Sequence, residues 1–134
     1  MSRPDSQLNM PAVADADLSA NQYRAVVPTA NNGGNGVALA GANVVILGIL
    51  QDKPNANGKA CAVCVEGPTR AAAGAAFARG AELKTDATGR LIAAGAELPG
   101  VIVNVVAIAF EAAAAAGDIK EVVLRHYTIN RAVS

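Results

Sequence analysis

The chain is 134 residues long, 52% hydrophobic but only 3% aromatic, and its eleven basic and eleven acidic side chains leave no formal net charge. One domain of this length can bury roughly two-thirds of its unfolded surface, and its core must be built from Val, Ile, Leu and Ala. The charge balance argues against a nucleic-acid partner, which needs clustered Lys and Arg. It also removes the repulsion that keeps copies apart, so self-association is expected.

Residues 1–16 show no apolar periodicity and carry Pro4 and Pro11. They read as an extended N-terminal arm that becomes ordered on a neighbouring subunit, with Leu8, Met10 and Val13 as sparse anchors. No apolar h-region follows Met1, so no signal peptide is expected. The longest apolar runs, Val44–Leu50 and Val101–Phe110, are too short to span a bilayer, and no membrane partner is expected.

Residues 17–134 read as a β-rich domain. Ala25–Val27 is a short strand ended by Pro28, and Asn31–Gly36 is a dense turn signal, since Asn and Gly both accept positive φ. Val37–Ala40 then returns as the second strand of a hairpin. A glycine-rich phosphate loop is excluded there, because no Lys-Ser/Thr pair and no strand–loop–helix context follows. Val44–Leu50 is a third strand, interrupted by Gly48. Ala60–Glu66 is a fourth, closed by Gly67-Pro68 after an Asn57-Gly58 turn. The alanines from Ala71 to Ala78 favour helix, but Gly74 and Gly80 allow only one short helical turn ending near Arg79. Glu82–Thr85 and Arg90–Ala93 flank Asp86-Ala87-Thr88-Gly89, a hairpin signal.

The longest apolar run follows the Pro99-Gly100 turn. From Val101 to Phe110 both alternating sets are apolar, interrupted only by Asn104, so this strand should be covered on both faces. Val101, Val103, Val105 and Phe110 are the candidate contacts with another subunit. Glu111 and Ala112–Ala116 compete for helix, but the β-branched run before them and the strand after them leave little room. The strand is expected to reach about Ala112, with a loop through Asp118 and a half-buried strand from Ile119 to Tyr127. Short strands separated by Gly, Asn and Pro imply a mainly β fold, a small compact barrel or sandwich.

The chemistry-bearing residues are sparse. Cys61 and Cys64 have the spacing of a zinc or redox pair, but a zinc site needs two further ligands and His126 is the only histidine. In a strand, positions three apart face opposite ways, so the pair reads as two reduced, buried thiols. No carboxylate spacing marks a catalytic pair. No enzyme activity, cofactor or metal is expected.

Three segments in order resemble the tailed-phage capsid cement, or head decoration, proteins. They are Asp17–Tyr23 with the Asn/Gly turn and Val37–Gly41; Leu47–Pro54 with Ala62–Gly67; and Ala73–Ala76, Gly80–Leu83, Asp86–Arg90 and the Ala-Phe-Glu-Ala-Ala stretch up to Gly117-Asp118. The resemblance covers about residues 17–127. It implies a non-enzymatic virion protein, made in the host cytoplasm, that binds the major capsid protein on the outside of an assembled head and braces it, often as a homotrimer. The cysteines in Ala60–Glu66 and the long turn at Asn31–Gly36 depart from that pattern. The alternative is a small cytoplasmic β-barrel module that binds a peptide or glycan. Such a groove wants aromatic residues, and two Tyr, two Phe and no Trp are poor material for one.

Overall fold

A computed structural model describes residues 7–94 and 102–130. Nine strands are present among them: β1 (Leu8–Ala14), β2 (Ala25–Thr29), β3 (Gly36–Leu39), β4 (Gly48–Leu50), β5 (Ala60–Ala72), β6 (Glu82–Thr85), β7 (Leu91–Ala93), β8 (Ile102–Ala109) and β9 (Ile119–Asn130). A four-residue helical turn, α1 (Asn31–Gly34), lies between β2 and β3.

β5 holds the two halves of the molecule together. Through residues 60–66 it pairs with β1 and β4. β1 pairs in parallel with β3, β3 with β2, and β2 with β4, which closes a five-stranded ring. From Gly67 to Ala72 the same strand pairs with β9 instead. β9 leads to β8, β8 to β6 and β6 to β7. Ala73, directly after β5, forms a parallel bridge to Leu91 of β7, so the second sheet also curls back on itself. Closure of this kind shortens the edges that would otherwise template aggregation. The mainly β, barrel-like architecture expected from the sequence is present.

Gly67-Pro68 does not end the strand, as expected, but marks where it changes sheets. Gly67 takes a φ of 93°, open to glycine, and lets one strand serve two ladders. The helical turn expected near Arg79 is also absent. Ala71, Ala72 and Ala73 are buried and paired with β9 and β7, so sheet pairing outweighs alanine's helix propensity. The helical turn lies instead at Asn31–Gly34, where Asn32 and Gly33 have positive φ.

The arm expected over residues 1–16 is narrowed. Residues 1–6 lie outside the described residues, and Leu8–Ala14 is a strand of the closed ring. Ala12 and Ala14 point into the ring with Val26, Val37, Leu50, Cys61 and Val63. Small side chains at alternate positions sufficed for packing, without the bulky apolar period that sequence reading looks for.

A second, larger cluster fills the other half. It joins Ile49 and Cys64 of the ring to Leu83, Leu91, Val106, Ala107, Val122 and Leu124. Cys61 and Cys64 therefore fall in separate cores, as a three-residue step along a strand requires. Both thiols are unpaired, and burial pushes both above the ordinary thiol range.

β8 has its expected double burial, by a mechanism visible in its register. Val105 lies opposite Tyr127 and Ala107 opposite Leu124, so two residues of β9, Arg125 and His126, face Val106 alone. Val103 and Val105 pack with Ala94 and Ile108, whereas Val106, Ala107 and Ala109 join the main core. The strand stops at Ala109, short of the expected Ala112.

Candidate interaction surface

The seven sequence-derived contact residues separate into three groups. Leu8, Met10 and Phe110 are exposed, and Val13 is half-buried. Val103 and Val105 are 0% and 2% exposed, which corrects their assignment to an interface, because the subunit's own core already covers them. Val101 lies outside the described residues. Sequence periodicity found the strand that matters but could not tell a second core face from an intersubunit face.

The large apolar side chains left in solvent also include Val45, Ile102, Ile119 and Tyr127. Several of these surround the far end of the β8–β9 ribbon. A groove of about 460 Å³ on one face is lined by Ile108, Ala109, Phe110, Val123, Arg125 and Tyr127. A smaller one of about 170 Å³ brings Val45, Val106, Tyr127 and Thr128 together. Beside them, a notch of about 620 Å³ opens where β9 leaves β5, between Val65–Gly67 and Val123–Tyr127.

Polar contacts fix the rims of these grooves. The Tyr127 hydroxyl donates to the Glu82 carboxylate across β8. That bond to a carboxylate holds the phenol in its protonated form and pushes its pKa up to about 12. The Arg79 guanidinium lies 5.0 Å from the Phe110 ring centroid, and its Nε donates to the Phe110 carbonyl at 2.9 Å. The exposed ring is thus held in place by a cation over its face. No sequence signal pointed to Glu82 or Arg79, since both partners are more than thirty residues away.

At the opposite end of the ring, Asp15 gathers the β2–β3 turn. Its carboxylate accepts from the Thr29 hydroxyl at 2.5 Å, the Asn31 amide at 3.0 Å and the Asn32 amide at 2.9 Å. These donors hold the carboxyl below the ordinary aspartate value, the Thr29 bond foremost. Among the described residues, no three His, Cys, Asp or Glu side chains come together to hold a metal ion. What the surface offers is apolar grooves and strand edges.

A family model described as phage cement protein matches residues 8–126. The chain belongs to the phage cement proteins. This cement protein is thus a structural protein of the phage capsid. Among solved structures its fold is similar to the crystal structure of the head fiber gp8.5 N base of bacteriophage phi29, with a TM-score of 0.68. The likeness covers 93% of this chain and 99% of that one at 17% identity, so it carries the fold alone. No curated protein matches the cement protein's sequence.

Proposed function

We propose that the chain binds the outer surface of an assembled phage head, as a homotrimer seated on the major capsid protein, and stiffens the shell against internal DNA pressure. Membership of the cement family over nearly all of the described chain carries this reading. The surface supports it: the exposed apolar side chains are arranged around grooves and strand edges, as suits a protein whose partner is another folded surface. Leu8, Met10 and Phe110 are contacts of that kind, and Val45 and Ile102 extend the set. The protein is made in the host cytoplasm and ends in the virion.

The test is co-sedimentation with purified heads, followed by heating of the loaded particles. The protein is expected to saturate the pellet at a fixed ratio to capsid protein and to raise the temperature at which heads release DNA. Light scattering is expected to show three copies of the 13.4 kDa chain per particle in solution or on the released shell. A chain that stays in the supernatant with both unexpanded and expanded heads is not a cement.

A further inference from the structure

Among the described residues, the edges of β1 and β9 both carry only partial ladders, and one chemical detail separates them. β1 meets β3 only at Val13 and Ala14, so its outer edge from Leu8 to Ala12 is open. Ala62 gives its carbonyl to the Gln51 amide, on the β4 side of β5. Pro11, opposite Ala62, therefore turns its backbone away from β5 and onto the open edge. A proline there offers no N–H, a common way of blunting an edge.

The other open edge belongs to β9. Its last partner in β5 is Gly67, opposite Leu124, and beyond that point, among the described residues, β9 has only β8 beside it as far as Asn130. The side of β8 away from β9 shows which groups are left. There the Asn104 N–H donates to Asn43 Oδ1 at 2.9 Å, and the Ile102 carbonyl accepts from Asn43 Nδ2 at 2.8 Å. Thr128 and Asn130 stand opposite Asn104 and Ile102. By the alternation of an antiparallel pair, their own N–H and C=O groups then face the outer edge of β9. Arg-His-Tyr-Thr-Ile-Asn, residues 125–130, contains no proline to blunt it.

We propose that an extended segment of the major capsid protein adds to this edge as a strand along Arg125–Asn130. The proposal rests on the capsid-binding reading above and locates its contact. A second copy of this chain is the poorer occupant. Its open β1 edge lacks the Pro11 donor, and β9 pairing with β9 would close a two-fold dimer, not a trimer. The flanks define the partner's chemistry. Tyr127 lines both grooves, with Phe110 in the larger and Val45 in the smaller, so the added strand carries apolar side chains that fit them. Backbone bonds supply the ladder, and the grooves supply the selectivity.

The test uses the full chain and intact heads. Thr128→Pro removes the edge N–H without touching the β8 ladder and should weaken head binding about tenfold or more, with the thermal transition retained. Thr128→Val keeps the backbone donor, so it should lose clearly less head binding than Thr128→Pro. If Thr128→Pro folds and binds unchanged, or if Thr128→Val loses binding equally, strand addition is overturned. Amide exchange at Thr128 and Asn130 tests the same point without a variant. Rapid exchange in the free protein and protection on heads supports the proposal. Rapid exchange in both states, or protection already present in the free protein, overturns it. Should the wild type itself fail to sediment with heads, the capsid-binding reading fails first.

Discussion

Asn43 and Asn104 grip one another as a substitute strand pair. The Asn104 amide N–H donates to Asn43 Oδ1, and Asn104 Nδ2 returns a bond to the Asn43 carbonyl at 3.0 Å. Asn43 adopts a φ of 51°, a left-handed conformation that asparagine tolerates, which turns its amide along the edge of β8. β6 reaches β8 only at Ala107 and Ile108, so this side chain closes the ladder where no strand does. Asn104→Val would restore the apolar pattern of the strand, yet it strands the Asn43 carbonyl. It is expected to cost about 1–3 kcal/mol in urea unfolding. Asn43→Gly keeps the backbone conformation and loses the side-chain bonds, so a cost of about 1–2 kcal/mol is expected. The double variant should cost less than the sum, because the two residues share bonds.

Asp15 ties the end of β1 to the β2–β3 turn, and its pH dependence has a definite sign. Its folded pKa is depressed, by the Thr29 hydroxyl first and then the Asn31 and Asn32 amides against some burial. The stabilisation is therefore complete above the unfolded aspartate value, near pH 4, and is lost as pH falls through the folded value. Asp15→Asn should melt at a lower temperature than the wild type at neutral pH. The gap between the two proteins should narrow as pH drops towards about 3. Asp17 and Asp86 are depressed as well, but both proteins contain them, so their effect cancels in the difference. A gap independent of pH would mean that Asp15 acts through shape alone.

Much of the fold was legible because turn chemistry is local. The Asn31–Gly36 and Asp86–Gly89 turns join the strand pairs expected of them, since Asn and Gly at positive φ decide those turns within a few residues. β1 was illegible because alternating alanines bury too little area to register as a pattern. The path of β5 through Gly67-Pro68 was missed because a turn dipeptide also serves as a bend between sheets. Of the residues expected to meet another subunit, Leu8, Met10 and Phe110 are exposed, while Val103 and Val105 are buried against Ala94 and Ile108. Asn104 was the one clue to the edge. A lone polar residue in an apolar strand needs a hydrogen-bond partner, but nothing in the sequence could say that the partner was Asn43.

Tyr127 offers a spectroscopic check on the grooved face. Its phenol is held protonated by Glu82, with partial burial and the Glu82 charge acting in the same direction. Alkaline absorbance titration should show one of the two tyrosines ionising near the raised value of about 12. Glu82→Gln removes the charge and should bring that transition back towards the ordinary phenol range near pH 10. If the titration of Glu82→Gln matches the wild type, the hydroxyl bond does not form in solution.

Gly48 separates close backbone approach from conformational freedom. Its φ is not positive, so a side chain meets no intrinsic strain there. A Cβ at this position would nevertheless stand 2.1 Å from the Cys64 carbonyl oxygen and 2.8 Å from a Val63 methyl. The methyl can rotate away. The carbonyl cannot, because Cys64 is held between β4 and β1 in the closed ring, opposite Ile49 and Asn9. Gly48→Ala must therefore push β4 off β5, and overpacking of this kind costs about 1–3 kcal/mol. The matched control is Gly41→Ala, where a Cβ meets nothing within 4 Å and a change of about 0.5 kcal/mol or less is expected. Urea midpoints of the two variants decide the matter: equal shifts would mean that β4 and β5 do not approach as closely as the ring requires, whereas a loss confined to Gly48→Ala places the steric limit at the Cys64 carbonyl.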